Sequence, residues 1–214
     1  MELTEQRWNN QAESEKGMNR VMHRGWSQDT QNEFHLMQVE KLKSLTDWND
    51  KHVIDIGCGI GRLTREFAQM GTATVLGTDF SEKMLEIAEK RTEYYSNTNF
   101  MKLDVKSDWK PLEGHFYDIA YCGSVLIHIL DDKVVEAVYG RVMNLLDKPS
   151  GVAIMFNEIA DKKDDSSGYC SIRTREFYNQ CAEKSGFKIE SEETFKFMDN
   201  VYHVQLLSVS YQGR

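Results

Sequence analysis

The chain has 214 residues, of which 26 are basic and 34 are acidic, so its formal net charge is −8. A chain of this length forms one compact unit with at most a small appendage, and a content of 40% hydrophobic and 11% aromatic residues excludes disorder as its main state. The negative charge and the scattered Lys and Arg residues argue against nucleic acid as a partner, because phosphate backbones are bound through clustered cations.

The sequence also shows no membrane or secretory signals and no cysteine spacings typical of metal sites or disulfides. No apolar run approaches the roughly 18 residues of a transmembrane helix, and the first residues lack the basic-then-apolar pattern of a secretory signal. We therefore predict a cytoplasmic protein that does not enter a membrane. No CxxC or CxH spacing occurs, so no metal site and no disulfide framework is predicted, and the four cysteines are expected to be reduced thiols: Cys58, Cys122, Cys170 and Cys181.

The first 50 residues show helical patterning without strands. Within them, residues 27–45 place Phe34, Met37, Leu42 and Leu45 near one helical face, as an amphipathic helix requires. We predict a helical N-terminal extension or cap at 1–50 and a second domain at 51–214.

From residue 51 onward, short apolar runs alternate with amphipathic stretches. This alternation is typical of an α/β fold in which helices cover a mainly parallel sheet. The charged segment 161–168 is predicted to be a loop. We predict strands at 52–56, 73–78, 99–103, 117–122 and 152–157, helices at 62–70, 82–92, 131–146 and 174–185, and a C-terminal hairpin of 187–195 and 201–211.

A glycine-rich turn follows the first strand, in the segment Asp55-Ile56-Gly57-Cys58-Gly59-Ile60-Gly61. Glycines there present bare backbone N–H groups to a ligand, and the helix that follows adds positive partial charge at its N-terminus. Such a turn suits a carboxylate or a phosphate. The dinucleotide fingerprint needs its third glycine at position 62, where this chain has Arg62, so NAD binding is disfavoured.

Acidic residues end the next two strands. Asp79 ends the second strand, 22 positions after Gly57, and a carboxylate at that place accepts two hydrogen bonds from a ribose diol. The alternative is that Asp79 only precedes a helix capped by Ser81. Asp104 ends the third strand and is positioned to accept a hydrogen bond from an adenine amine. Three consecutive strand ends with carboxylates, Asp55 included, indicate a ligand site at the edge where open α/β sheets bind ligands.

Over residues 51–186 and onward, the chain resembles the class I S-adenosylmethionine-dependent methyltransferases of the small-molecule type. The resemblance rests on DIGCGIGRLT, GTDFSEKML, MKLDV, FYDIAYCGSVLIHI and RTREFYNQCAEKSGF. It implies a Rossmann-like, doubly wound, mainly parallel seven-stranded sheet with a reversed C-terminal strand, and S-adenosyl-L-methionine as the cofactor.

In that family the glycine loop packs against the methionine part of the cofactor, and the acid ending the second strand holds the ribose hydroxyls. The acid ending the third strand binds the adenine amine, and two apolar side chains flank the adenine. The residues to which the resemblance assigns cofactor contacts are Asp55, Gly57, Cys58, Gly59, Gly61, Asp79, Phe80, Met84, Asp104, Val105 and Cys122.

Two residues are candidates for catalysis. His128 follows the fourth strand, and a neutral imidazole accepts a proton at physiological pH; the alternative is a packing or positioning role. Glu158, with Asn157, ends the fifth strand, where both are predicted to meet the substrate or orient His128, or else to form a solvated strand end.

Substrate-binding candidates come from both ends of the chain. In similar methyltransferases a helical extension covers the cofactor and helps to build the acceptor pocket, where tryptophan faces attract a cationic amine; simple packing is the alternative. At Arg173 the alternatives are contact with an acidic substrate and a surface ion pair, and the 161–168 loop is either a lid or a solvated linker. The candidates are Trp8, His23, Arg24, Trp26, Asn157 and Arg173.

The sequence thus predicts methyl transfer to an oxygen or nitrogen of a small metabolite such as a sugar, an amine or a natural-product intermediate. The protein is expected to act as a monomer or homodimer without nucleic acid. The alternatives are a nucleic-acid or protein methyltransferase, and a cofactor-binding partner subunit without catalysis. The fourth strand ends in YCGS rather than Asn/Asp-Pro-Pro-Tyr/Phe, which disfavours methylation of adenine or glutamine amino groups.

Overall fold

The computed structural model describes residues 5–13, 25–147 and 150–209. They form two compact units, Leu3–Asp104 and Val105–Arg214. The sheet has seven strands. In the part of the chain that the structure describes, no helix is both long and apolar enough to cross a membrane.

The first unit holds three parallel strands in the order β3-β2-β1. Val53 of β1 pairs with Val75 of β2, which pairs with Thr98 of β3. Strands β1 and β2 are mostly buried, as expected for parallel strands covered on both faces. The elements of this unit are α1 Glu5–Glu13, α2 Gln28–Leu45, β1 His52–Ile56, α3 Arg62–Gln69, β2 Thr74–Asp79, α4 Glu82–Thr92 and β3 Thr98–Lys102.

Side-chain caps fix where two helices of this unit begin. The Ser27 hydroxyl accepts a hydrogen bond from the Thr30 N–H, and the Ser81 hydroxyl accepts one from the Met84 N–H. Each cap satisfies a backbone donor that the first turn of a helix leaves unpaired. The Ser81 cap sets the first residue of α4 only three positions beyond Asp79.

The second unit holds four strands in the order β4-β5-β7-β6. Strand β4 is parallel to β5, whereas β7 is antiparallel to both β5 and β6. Strand β7 is therefore the reversed one. The elements are a 3-10 turn Lys110–Leu112, β4 Ile119–Gly123, a 3-10 turn Leu126–His128, α5 Asp132–Leu145, β5 Val152–Ile159, α6 Arg175–Lys184, β6 Phe187–Phe197 and β7 Asn200–Val209.

The core of the second unit contains a hydrogen-bonded polar pair. Tyr139 of α5 donates its hydroxyl hydrogen to the side-chain oxygen of Gln205 in β7, at 3.0 Å, and both side chains are fully buried. This bond supplies the partner that a buried amide requires. It fixes α5 onto the face of the sheet that carries Gln205.

The predicted fold class is confirmed: the sheet has seven strands, is mainly parallel and has a reversed strand near the C-terminus, and helices precede the first strand. The hairpin is confirmed as well, with Met198 in the left-handed region of its turn. The sequence did not predict the two 3-10 turns or the separate helix α1. The boundary between 1–50 and 51–214 stays a prediction.

Candidate active site

The glycine turn of the first unit takes the backbone conformation that its sequence predicts. Gly57, Gly59 and Gly61 all have positive φ, at 70°, 55° and 71°, a region that residues with a Cβ enter only at a cost. At Gly61 a Cβ would also lie 2.8 Å from the Cβ of Ala88. Glycine at position 61 is thus required both by the turn and by the close approach of α4.

Asp79 is held against this turn. Its Oδ2 accepts a hydrogen bond from the Gly59 N–H at 3.0 Å, and its Oδ1 accepts one from the Ser81 N–H at 2.9 Å. Burial raises the pKa of Asp79 to about 6, although the backbone hydrogen bonds act in the opposite direction. The group is therefore mainly ionised at neutral pH. Asp79 ends β2, as the sequence predicts, and its part in binding a ribose stays a prediction.

Asp55, the second-last residue of β1, is hydrogen-bonded to a residue of α3. Its Oδ2 accepts a hydrogen bond from the Thr64 hydroxyl at 2.6 Å, and the residue is 2% exposed. Burial raises the pKa of Asp55 to about 7. Through this hydrogen bond the carboxyl group connects the end of β1 to the first turn of α3, on either side of the glycine turn.

The other cofactor candidates of the first unit lie around these two acids. Cys58 has a thiol pKa raised well above its ordinary value by burial, so it stays protonated. Met84 is buried and packs with Ile60 against α1. Phe80 is half-buried, as is Asp104, whose charge raises the pKa of Asp79 after the larger effects of burial and hydrogen bonding.

Arg62 occupies the position of the missing third glycine, and the structure gives it a function that the sequence did not predict. Its guanidinium contacts His35 Nδ1 and donates to the Gln38 side-chain oxygen at 2.8 Å. Burial and the Arg62 charge lower the pKa of His35. Arg62 thereby ties α2 to the start of α3. The glycine pattern alone carried no sign of this pairing.

Two cofactor candidates belong to the second unit. Cys122 in β4 is fully buried, and its thiol lies close enough to Tyr139 and Tyr178 to affect their ionisation. The Val105 carbonyl accepts hydrogen bonds from the Trp109 indole and the Arg141 guanidinium. Their assignment to the cofactor stays a prediction.

His128 ends the 3-10 turn that follows β4. Its Nδ1 lies 3.3 Å from the Cys170 sulfur, and its side chain is partly exposed. The residue that the sequence singles out as a base is thus paired with a thiol that the sequence analysis left without a function. Because 42 positions separate the two residues, no local pattern indicates the pair.

Arg173 lies in the core rather than at the surface. It is 1% exposed, and its guanidinium donates to the carbonyl oxygens of Leu126, Ile129 and Ser171 and to Oδ1 of Asp132. The expectation of a surface ion pair is wrong, because the arginine is buried. Its donors are directed into the 3-10 turn that carries His128, so we do not retain Arg173 among the proposed substrate contacts.

Asn157 and Glu158 are neighbours in β5 and face opposite sides of the sheet. Asn157 is fully buried, and its amide atoms have no hydrogen-bond partner among the described residues. Glu158 is half-buried, and its charge adds to the effect of burial in raising the pKa of Tyr202. The prediction of a solvated strand end is wrong for Asn157, whose amide is buried with unsatisfied hydrogen-bonding capacity.

The remaining substrate candidates lie in the N-terminal helical region. Trp8 packs against the cluster of Ile60 and Met84, and the Trp26 ring contacts the edge of Phe34 at a centroid distance of 5.2 Å. Both tryptophans are therefore packed within the first unit. His23 and Arg24 lie outside the described residues.

Comparisons with known proteins identify a methyltransferase domain in the chain. Residues 53–151 match the family model described as a methyltransferase domain. Phosphoethanolamine N-methyltransferase 1 of Triticum aestivum is 34% identical over 113 residues, which are 52% of this chain and 22% of that protein. Ubiquinone biosynthesis O-methyltransferase of Coxiella burnetii is 33% identical over 101 residues, which are 45% of this chain and 42% of that protein. The chain thus spans less than half the length of these curated relatives.

Solved structures resemble the whole fold. Magnesium protoporphyrin IX methyltransferase from Synechocystis PCC 6803 with bound SAM has a TM-score of 0.71 at 22% identity, covering 97% of this chain and 98% of that one. N-methyltransferase NodS from Bradyrhizobium japonicum WM9, in complex with S-adenosyl-L-homocysteine, has a TM-score of 0.74 at 14% identity, covering 95% and 97%.

The fold is that of the Rossmann-like class I methyltransferases, and the glycine turn with its buried acid lies at the ends of its first two strands. Residues 53–151, a little under half of the chain, form a methyltransferase domain.

Proposed function

We propose that the protein transfers a methyl group from S-adenosylmethionine to an oxygen or nitrogen atom of a small molecule. The observation that carries the proposal is the contact between the glycine turn and Asp79, in which a buried carboxylate bonds to the Gly59 backbone. This contact places the backbone of the glycine turn, which has no side chains at Gly57, Gly59 and Gly61, next to the negative charge of Asp79. The proposed acceptors are sugars, amines and natural-product intermediates.

The residues of the first unit fit the cofactor. A carboxylate has about four acceptor sites, and the backbone N–H groups of Gly59 and Ser81 leave capacity at Asp79 for hydroxyl groups. Asp79 would hold the ribose and Asp104 the adenine amine, with Gly57, Gly59 and Gly61 against the methionine part. When bound, S-adenosylmethionine supplies a methyl group that its sulfonium has already activated.

His128 is the proposed proton acceptor of the second unit. A hydroxyl or ammonium acceptor must lose a proton before or during methyl transfer, and a neutral imidazole takes a proton near pH 7. The Asn157 amide, buried without a partner among the described residues, is the proposed polar contact for the acceptor, and Glu158 is a second candidate for proton transfer.

The names of the relatives support a small acceptor, since they act on phosphoethanolamine and in ubiquinone biosynthesis. The net charge of −8 supports the same conclusion, because it disfavours a nucleic-acid substrate. We propose that the protein works in the cytoplasm as a monomer or homodimer.

Calorimetric titration tests the cofactor first. We expect S-adenosylmethionine and S-adenosylhomocysteine to bind with a Kd of about 1–100 μM, and NAD, the control, to show no heat of binding. Absence of binding by both sulfur ligands would overturn the proposal.

Methyl transfer to a panel of small amines, phenols, sugars and phosphoethanolamine tests the reaction. We expect His128→Ala to lower turnover by about a hundredfold, the range of general-base catalysis, while the Kd for the cofactor stays within about twofold. His115→Ala, an exposed histidine of the same unit, is the matched control. If the protein binds the cofactor and methylates RNA or protein but no compound of this panel, the proposal of a small-molecule acceptor is refuted. Turnover on neither would favour a non-catalytic partner subunit.

A further inference from the structure

Two fully buried polar side chains lie opposite each other on β5 and β7. Asn157 pairs with His203 in the antiparallel register of these strands. Directly opposite residues of such a pair share one face of the sheet, with Cβ atoms about 4.5–5.5 Å apart. Five buried side-chain atoms have no hydrogen-bond partner among the described residues, and three of them belong to this pair: Nδ2 and Oδ1 of Asn157 and Nδ1 of His203.

The other ring nitrogen of His203 is held by a carboxylate. Its Nε2 lies 2.9 Å from Oε2 of Glu192, which also accepts a hydrogen bond from the Asn179 amide. Burial raises the pKa of Glu192, but these two hydrogen bonds outweigh it and hold the pKa below its ordinary value. An ionised carboxylate only accepts hydrogen bonds, so Nε2 carries the hydrogen. Because burial lowers the pKa of His203, the imidazole is neutral at neutral pH and Nδ1 is its acceptor nitrogen.

The next residue on this face of β7 shows what a satisfied polar side chain looks like here. Gln205 accepts a hydrogen bond from the Tyr139 hydroxyl at 3.0 Å and donates one to the Asn179 side-chain oxygen at 2.8 Å. Helices α5 and α6 thus supply partners for both polar atoms of Gln205. Buried polar atoms without partners lower stability, so their concentration at Asn157 and His203 points to a functional role.

We propose that Asn157 and His203 form a binding site for a hydroxyl group of the methyl acceptor. A hydroxyl donates one hydrogen bond and accepts others, so it can donate to Nδ1 of His203 while it accepts from Nδ2 of Asn157. An ammonium or phosphate group fits less well, because both side chains are neutral, the Glu192 carboxylate already has two donors, and a buried ion needs a counter-ion. Asn157 lies two residues before the end of β5, and open α/β sheets bind ligands at this end of their strands.

This inference deepens the proposed function and rests on it, since it selects hydroxylated acceptors, such as phenols and sugars, from the proposed classes. Its structural basis is the unpaired state of the buried atoms, which is measured without any acceptor or cofactor. Turnover on the panel then tests the site itself.

Thermal unfolding of the full chain tests the unpaired state. Asn157→Leu replaces the amide by an apolar group of similar size, and we expect Tm to rise by about 2–6 °C because no hydrogen bond is lost. Gln205→Leu is the matched control. It removes an amide whose two polar atoms are both bonded, so Tm should fall by several degrees. A fall in Tm for Asn157→Leu would show that the protein itself satisfies this amide, and would overturn the inference.

Kinetics on the phenol or sugar of the panel with the highest turnover test the binding of the hydroxyl. His203→Gln keeps an N–H group for Glu192 but has no acceptor in place of Nδ1. In this variant and in Asn157→Leu we expect KM to rise about tenfold, with the Kd for S-adenosylmethionine within about twofold. Gln205→Leu should leave KM within about twofold of the wild type.

The inference and the proposed function fail in different ways. An unchanged KM in both variants, or turnover on amines without a hydroxyl group but on no phenol or sugar, would overturn the inference and leave methyl transfer standing. Turnover on no compound of the panel would refute the proposed function and the acceptor site with it, whatever the effect of Asn157→Leu on Tm.

Discussion

The backbone N–H of Gly59 donates a hydrogen bond to the Oδ2 atom of Asp79 at 3.0 Å, across 20 positions of the chain. This bond joins the turn after β1 to the end of β2, so the two sequence features that predict a ligand site meet in space. It also fixes one carboxylate oxygen of Asp79 before any ligand arrives. Preorganisation of this kind lowers the ordering cost of binding.

Removing the Asp79 carboxylate is expected to weaken cofactor binding. Asp79→Ala should raise the Kd for S-adenosylmethionine by at least about tenfold, since a charge-assisted hydrogen bond contributes about 1.5–3 kcal/mol. In the wild type, affinity should also fall as the pH drops below about 6, because Asp79 becomes protonated at its raised pKa of about 6. Calorimetry across this pH range measures both effects.

Glu82→Gln is the matched control, because this exposed acid lies three positions beyond Asp79 and pairs with Lys102. It should change the Kd by less than about twofold. An Asp79→Ala protein that binds as tightly as the wild type would refute the ribose assignment.

Asp55 predicts an unusual dependence of stability on pH. Burial raises the pKa of Asp55 to about 7, whereas an aspartate in the unfolded chain titrates near about 4. Between these values the folded state binds more protons, so the Asp55 contribution to the free energy of unfolding is full at the acidic end and is lost as the pH rises through about 7.

Asp55→Asn removes this titration while keeping an oxygen for the Thr64 hydroxyl. Between about pH 5 and pH 8, the free energy of unfolding of the variant should rise relative to that of the wild type by about 2–4 kcal/mol. Urea titrations at several pH values measure the difference. Thr64→Val is the companion variant. It removes the hydrogen bond that lowers the Asp55 pKa and should make the dependence steeper. A difference that does not vary with pH would contradict the raised pKa.

The sequence predicts the elements whose signals are local. The bounds of β1, His52–Ile56, and of α4, Glu82–Thr92, agree with the predicted ranges, because an apolar run ends at glycine in one case and Ser81 caps the helix in the other. Asp79 is found by the same logic, since a strand end and a glycine turn are both visible in one sequence.

Features that depend on distant partners are not predictable in this way. The burial of Arg173 depends on carbonyl groups of the 3-10 turn more than 40 positions earlier in the chain, so the sequence predicts only contact with an acidic substrate or a surface ion pair. The contact between His128 and Cys170 has the same cause. The sequence predicts that β5 ends at Asn157, whereas the strand continues to Ile159 and buries the Asn157 amide.

Any side chain at position 61 is expected to lower the stability of the fold. Gly61→Ala places a Cβ at φ +71° and 2.8 Å from the Ala88 Cβ, so the free energy of unfolding should fall by about 2–4 kcal/mol. The double variant with Ala88→Gly should recover part of the loss, because it removes the contact between the two Cβ atoms. The Ala88 Cα, 3.0 Å from the added Cβ, and the backbone strain remain. Thermal and urea unfolding measure the change.

Gly140 in α5 provides the opposite control. Nothing lies within 4 Å of a Cβ built there, so Gly140→Ala should stabilise the protein by about 0.5–1 kcal/mol. If Gly61→Ala and Gly140→Ala changed the free energy of unfolding by the same amount, the close approach of Ala88 to position 61 would not contribute to stability.

Arg173 is expected to be the most sensitive charged residue of the second unit. Its guanidinium serves three carbonyl oxygens and Asp132 from a buried position, and a lysine ammonium has no planar fork with which to replace these bonds. Burial raises the pKa of Asp132, but hydrogen bonds from Arg173 and Lys163 outweigh it and hold the pKa below its ordinary value. The ion pair is therefore maintained at neutral pH.

We expect Arg173→Lys to lower the free energy of unfolding by about 3 kcal/mol, because buried carbonyl groups are left without donors. Arg175→Lys is the matched control, since that arginine is half exposed and pairs with Glu176 at 3.6 Å; it should change stability by less than about 0.5 kcal/mol. Urea unfolding of both variants gives the comparison. A loss below about 1 kcal/mol in Arg173→Lys would mean that water satisfies these carbonyl groups, and that the 3-10 turn carrying His128 is held by the hydrogen bond from the Ser171 N–H to the Ile127 carbonyl rather than by the arginine.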